Sequence, residues 1–597
     1  MTRTDTAPLS LDALYGALRV LDPTGAFKGL SYSLTPHNTL PAQWWVFMPY
    51  GKWSTPPAAP SPSPLQGAIA EAITDAKPTL QERCFIDILH LSDQDNGTGN
   101  FFSPIVASIV DFIKQGPSGS PPVIRYLVGE AGPKQPEDSE FMQTLYATGG
   151  FNAHVFYGNF APSLGLSAQG DASSLTGLLE ALRSLVDRAL PAASRPEAES
   201  LLAALPDGTM LAQLLPPTSW NHAKIFALNG SQLVIGGANY WAEYSQSQVF
   251  LFDLSMRIGG QAAVGAHEFA NYLWRYLSHI PGTDTNSTSA GNPTPEISNF
   301  QSSNKAPQLT DFPTSSGSIR ALTVSRIGNW PSPIGYPVQA IDAIRDIVVN
   351  VIAALAEKNG EEALTASVLE ALTDENLRDA LGTLGINPAA WASRFIRNYA
   401  IAHAQSHVRL SQQKLVMNDL AEAKQPGFET FLREINELLG TKWNGYIWPF
   451  DTLSALGHAL TTFSQNPNVP GKVQIVCSTR ISQTGYVDPV TAAEFREKLI
   501  SVMTGMSQMG YIKPNGNIPD IVATRLEYRR VTPQSSPEHA NHSKLVVVDD
   551  AICYVGSDNL YPSYNEESGI WIDDQQAIQR FVNEWWNDLW MFAEAME

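Results

Sequence analysis

Apolar residues along this chain follow two alternating periods. Near the start, Leu65 to Ala76 carries its apolar positions at helical spacing, and Cys84–Ser92 (CFIDILHLS) is a short, almost continuous apolar run typical of a buried strand. Phe101–Gln115 then returns to the helical period, and Pro121–Gly132 to the strand pattern. Strands alternating with helices predict a parallel or mixed sheet covered by helices. A further helical region is expected at about 173–205, and Ala266–Leu277 (AHEFANYLWRYL) is another helix. Residues 282–317 are rich in Ser, Thr, Asn, Gly and Pro without a hydrophobic period and read as a connector. IRALTVSRIG resumes with a strand, and about 337–392 is helix-forming. From Phe395 the earlier order returns: helix FIRNYAIAHAQ, strand HVRLSQQKL, a helical region, strand GKVQIVCST, and at the end the helix QAIQRFVNEWWNDLWMFAEAM. A repeated order of elements predicts a duplicated unit, with halves at 1–330 and 331–597.

Polar residues at matched spacing mark the same place in each half. Residues 222–239 read HAKIFALNGSQLVIGGAN, and residues 542–559 read HSKLVVVDDAICYVGSDN. From each histidine the offsets to lysine, to Asn229 or Asp549, to Gly237 or Ser557, and to Asn239 or Asn559 are identical. Between the polar positions each copy is strand–turn–strand, and Asn229-Gly230 is a hairpin turn signal. Two histidines, two lysines and two asparagines in equal frames predict one anion site made from two halves. A phosphodiester needs its charge neutralised, a nucleophile, and an acid for the departing oxygen. One neutral imidazole of His222 and His542 can attack phosphorus while the other, protonated, serves the leaving group. Lys224 and Lys544 would hold the non-bridging oxygens, with Asn239 and Asn559 donating further hydrogen bonds. This chemistry calls for no metal or cofactor. A reactive histidine also needs an acceptor on its other nitrogen. Asp253 in VFLFDLSMRI follows the first motif; Glu567 in YNEESGIWIDD, with Glu566 as its neighbouring alternative, follows the second.

Composition narrows the partners. In 597 residues, 58 acidic against 38 basic side chains leave a net charge of −20, which disfavours a nucleic-acid surface and simple adhesion to anionic membranes. No apolar run reaches membrane-spanning length, and MTRTDTAPLSLDALYGALRVLD lacks the features of a Sec signal. The expectation is a soluble protein, cytoplasmic or exported by a non-Sec route. The three scattered cysteines sit in apolar segments and are expected to be buried thiols.

The paired motifs closely resemble the phospholipase D superfamily, whose signature is His-x-Lys-x4-Asp-x6-Gly-[Gly/Ser]-x-Asn, present twice. SWNHAK, GGANYW followed by DLSMRI, SQQKL and GSDNLYPSY also look like stretches of the bacterial secreted phospholipases D. The likeness covers most of the chain, departing in the N-terminal region and the helical stretch at 337–392. It implies two similar αβαβα halves with mixed sheets, related by pseudo-twofold symmetry, and a single active site at their interface. It implies a ping-pong reaction through a phosphohistidine, ended by water or by an alcohol. By that analogy His222 is the nucleophile and His542 the general acid/base, with Asp253 orienting His222 and Glu567 the other histidine. The substrate implied is a glycerophospholipid, cut at its distal phosphodiester by a monomer in transient contact with a membrane surface. Asn229 departs from the signature's Asp; at a hairpin turn, a structural role is expected for it.

Other readings stay open at this point. A nuclease or another phosphodiesterase of the superfamily, or a duplicated scaffold without activity, carries the same motifs. Trp241, Tyr244 and Tyr561 would either line a headgroup pocket by cation–π contact with choline or serve as packing. The aromatic run Trp44, Trp45, Phe47, Tyr50 and Trp53 would dip into a lipid interface or, as such residues more often do, be buried. Trp585, Trp586 and Trp590 are expected in the core. His539 and His542 form His-x-x-His without further ligands, and Asp93, Asp95 and Gly97 read as a solvated turn rather than a calcium loop.

Overall fold

The computed structural model of the protein describes residues 9–49, 53, 62–81, 83–92, 101–117, 122–129, 139–149, 151, 153–160, 220–241, 249–277, 308–310, 312, 315–327, 345–347, 349–350, 353–354, 388–418, 444–466, 471–479, 487–531 and 538–595. The helical region expected at 173–205 and residues Tyr50, Asp93, Asp95, Gly97 and Tyr244 lie outside this set, as do most of the connector 282–317 and of the helical stretch 337–392.

The strands are β1 (Tyr32–Thr39), β2 (Trp45–Met48), β3 (Phe85–His90), β4 (Val123–Val128), β5 (His154–Asn159), β6 (Lys224–Leu228), β7 (Gln232–Gly236), β8 (Val249–Gly260) and β9 (Ile319–Arg326). They continue as β10 (His407–Ser411), β11 (Lys472–Cys477), β12 (Leu526–Arg530), β13 (Glu538–Asn541), β14 (Leu545–Val548), β15 (Ile552–Gly556) and β16 (Glu567–Ile572). The same neighbour order occurs twice. In the first set β5, β4 and β3 are parallel, and β6, β7 and β8 continue antiparallel from β3. In the second, β12, β11 and β10 are parallel, and β14, β15 and β16 continue antiparallel from β10. β1 pairs with the end of β8 and with β9, and β9 pairs with β16, so hydrogen bonds run unbroken from one set to the other.

The connecting helices repeat as well. Ser103–Lys114 links β3 to β4, as Phe450–Gln465 links β10 to β11; Glu140–Thr148 links β4 to β5, as Ala492–Gln508 links β11 to β12. Local chemistry fixes two helix starts. Thr491, before Ala492–Gln508, and Ser63, before Pro64–Ala76, the helix that precedes β3, each form a reciprocal capping box, with Glu494 and Gln66 respectively, which satisfies N–H groups that a helix leaves open. β3, β14 and β15 are buried at every position, as strands covered on both faces must be.

The aromatic run answers to packing. Trp44, Trp45, Phe47 and Trp53 are buried, against Phe581 and Trp585 of the C-terminal helical segment. Trp586 is likewise buried, whereas Trp590 is only partly covered and lies under the Arg529 guanidinium at 4.2 Å. All three cysteines are buried thiols. No described helix is long and apolar enough to cross a membrane.

Candidate active site

Each motif is a hairpin whose open end carries the histidine, the lysine and the asparagine. Lys224 is paired with Gly236 and Leu545 with Val555, so each histidine lies at the same hairpin end as the Gly/Ser and Asn positions. The opposite ends are the turns. Asn229 and Gly230 have φ of 52° and 67°, and Asp549 and Asp550 have 56° and 53°, the left-handed pairs that a two-residue hairpin requires. The Asn229 amide accepts from Phe85 N at 2.7 Å and donates to Thr79 Oγ1 at 2.9 Å and Arg83 O at 3.0 Å. Asp549 Oδ1 accepts from the backbone N–H groups of Gln405, Ser406 and His407 at 3.0, 2.7 and 3.0 Å. Both are ties between a turn and the start of a parallel strand, at the opposite hairpin end from the histidines.

The carboxylates are exchanged between the halves. Asp253 was expected on His222 and Glu567 on His542; the structure pairs them the other way. His222 Nδ1 lies 2.9 Å from each Glu567 oxygen, and His542 Nδ1 lies 2.6 Å from Asp253 Oδ2. The backbone explains the exchange. Asn221 and Glu566 form a parallel bridge, with His222 N donating to Glu566 O at 2.8 Å. β13 runs parallel to the start of β8, pairing Asn541 with Phe252, and His542 N donates to Phe252 O at 2.7 Å. The strand carrying each carboxylate therefore passes the other half's histidine. Separations of 345 and 289 residues gave linear order no means of showing this.

A carboxylate on Nδ1 fixes the tautomer, placing the lone pair of the neutral ring on Nε2. Burial first, then the charges of Lys224 and Lys544, hold His222 well below its usual pKa. Burial and Lys544 likewise lower His542 to about 3, against the pull of Asp253. Because both lysines bear on both rings, the two frames share one electrostatic site. The carboxylates differ. Burial acts to raise Asp253, but Lys544, His542 and the Leu254 N–H outweigh it and its carboxyl falls below the ordinary value. Burial prevails at Glu567, which rises to about 7 despite Lys224 and the Ser557 hydroxyl.

The lysines are anchored symmetrically. Lys224 Nζ donates to His222 O at 2.6 Å and Lys544 Nζ to His542 O at 2.5 Å. Asn239 and Asn559 are buried just beyond the second hairpin strands. Gly237 and Ser557, the substrate-binding candidates that precede the asparagines by two residues, lie against the carboxylates. Ser557 Oγ donates to Glu567 at 2.6 Å. A side chain at Gly237 would strike the Asp253 carboxylate, and its Cβ would lie 3.1 Å from Lys544 Cδ. Trp241 Nε1 donates to Ser92 O at 2.7 Å, and the ring of Tyr561 faces Lys414 Nζ at 4.9 Å.

Two site residues escaped the sequence reading. Asn221 and Asn541 immediately precede the histidines, and their amides donate to His90 O at 3.1 Å and Gln412 O at 3.1 Å. Their signal was the Asn-His pair common to both motifs. Arg397 was also missed; it donates to the carbonyls of Asp558 and Asn559 at 2.6 and 3.0 Å and binds the Asp558 carboxylate. Among the described residues, no group of three or more His, Cys, Asp or Glu side chains gathers as a metal site.

The fold and site together define a duplicated α/β protein with one His–Lys centre shared by both halves. Residues 470–590 match the family model "Cardiolipin synthase, PLD-like domain". Phospholipase D of Streptomyces antibioticus is 24% identical over 377 residues, 63% of this chain and 59% of that protein. The match thus spans about three fifths of the relative's length. The chain is thus similar to proteins of the phospholipase D superfamily, to the family model in its C-terminal segment and to phospholipase D over 63% of its length. Among solved structures, phosphatidylserine synthase of Haemophilus influenzae Rd KW20 is similar at 11% identity and a TM-score of 0.36, covering 97% of this chain and 92% of that one. The phospholipase D family member Nuc of Salmonella typhimurium is similar at 15% identity and a TM-score of 0.19, covering 34% and 90%.

Proposed function

We propose that the protein is a phosphodiesterase of the phospholipase D type. It cleaves the distal phosphodiester of a glycerophospholipid to phosphatidic acid and the headgroup alcohol. The observation that carries this reading is the pair of buried histidines, each held at Nδ1 by a carboxylate from the opposite half and both under the charge of Lys224 and Lys544. Neutral His222 attacks phosphorus through Nε2; the bond to the headgroup oxygen breaks, and that oxygen takes a proton from His542. His542, now neutral, removes a proton from water, which attacks the phosphohistidine and restores His222. An alcohol in place of water gives a transphosphatidylation product. The lysines and Asn239 and Asn559 hold the non-bridging oxygens. Binding the substrate anion offsets the lysine charges that depress His542, and the Asp253 carboxylate supports its imidazolium. The enzyme works as a monomer in transient contact with a lipid surface.

Incubation with phosphatidylcholine or phosphatidylethanolamine vesicles and ethanol is expected to yield phosphatidic acid and phosphatidylethanol. His222→Ala abolishes both products, and a phosphorylated imidazole is trapped at His222. Cleavage of single-stranded DNA without any lipid product would overturn the proposal.

A further inference from the structure

The two halves of the site differ in charge at one matched position. At the end of β10 the chain continues through Gln412, Gln413 and Lys414 beside the second motif. The Gln412 carbonyl accepts from Asn541, just before His542, and its side-chain oxygen accepts from Leu560 N, just after Asn559, at 3.2 Å. Two residues further on, Lys414 is 4% exposed, bonded to Asn418 Oδ1 at 2.9 Å, with its ammonium over the Tyr561 ring. The hairpin registers equate this stretch with the end of β3, since Leu89 faces Ile225 as Ser411 faces Leu545. Ser92 then stands where Lys414 does, and Trp241 where Tyr561 does. Ser92 and Trp241 are joined by a neutral hydrogen bond. At this matched position, then, the His542 side carries a buried ammonium in addition to the motif lysines, and the His222 side carries a neutral pair.

We infer that Lys414 and Tyr561 form the headgroup subsite and select phospholipids whose headgroup bears its own anionic group, namely a carboxylate or a second phosphate. This rests on the proposed function, in which His542 protonates the leaving headgroup and so faces it. The face of Tyr561, which could otherwise take a choline quaternary ammonium, already carries a cation of the protein. A choline headgroup would meet like charge there; a carboxylate or phosphate would meet a charge-assisted donor.

The test compares vesicles of a neutral diluent lipid containing phosphatidylserine, cardiolipin, phosphatidylcholine or phosphatidylethanolamine, with released headgroup or new phosphatidic acid as the readout. The intact protein is expected to favour phosphatidylserine, cardiolipin or both over phosphatidylcholine by about tenfold in kcat/KM, the scale of one hydrogen bond to a charged group. The serine and cardiolipin arms separate carboxylate from phosphate recognition. Lys414→Met collapses the preference, mainly through KM, whereas Lys414→Arg keeps it. Equal or better turnover of phosphatidylcholine by the unaltered protein overturns the inference and leaves the proposed function standing. So does an equal loss on all four lipids in Lys414→Met. No product from any lipid overturns both.

Discussion

Asn229 stands where the phospholipase D signature has Asp, and its contacts keep the tie that an Asp would make at this turn. Its amide oxygen takes the Phe85 N–H that a carboxylate would also take, and its amide nitrogen adds bonds to Thr79 and Arg83. Asn229→Asp is therefore expected to leave kcat/KM within about tenfold, or about 1.4 kcal/mol of barrier, in a steady-state assay. At Asp253 the exchange of partners makes a sharper statement. Asp253→Asn should lower kcat by at least about a hundredfold, the scale of a lost acid–base contribution. Nitrogen NMR should show the tautomer of His542 disturbed and that of His222 kept; the reverse pattern would restore the within-half pairing. Lys544 supplies a pH limb. Burial lowers its pKa to about 8, opposed by Asp253 and Glu567. The free protein loses this positive charge as pH rises through about 8, so kcat/KM should fall there. A profile still flat well above pH 9 would remove Lys544 from anion binding.

At the scale of elements, hairpins and helices were legible because their signals are local. Asn-Gly at the turn, apolar runs in β3, β6 and β14, and the 3.6-residue period of Ala266–Leu277 each sit inside a short window. β1 and β2 were not, since YSLTPHNT carries polar residues and a proline, and WVFM is a short, wholly apolar run without alternation. They take strand form because β9 and β8 offer partners more than 200 residues away. The carboxylates were legible as candidates, but their partners depend on contacts between distant segments. Asp549 gives an element-level test. Asp549→Ala removes the acceptor for three backbone donors and should cost about 2 kcal/mol of stability, read by chemical denaturation, with kcat little changed. A large fall in kcat with unchanged stability would tie this turn to the chemistry instead.

For the whole molecule, the decisive feature is continuity. The ladder from β8 through β1 and β9 to β16 joins the two strand sets, and the apolar core includes residues of both. Thermal unfolding followed by far-ultraviolet circular dichroism and by tryptophan emission should therefore give coincident transitions. Two separated steps would mean the halves melt independently. The crossed carboxylates add a temporal consequence. A growing chain completes the His222 hairpin long before Glu567 is made, and while it waits that imidazole has no acceptor to set its tautomer. The reactive centre behaves as a two-key lock, because neither half holds both keys to its own histidine. Its chemistry is withheld until the last strand is in place.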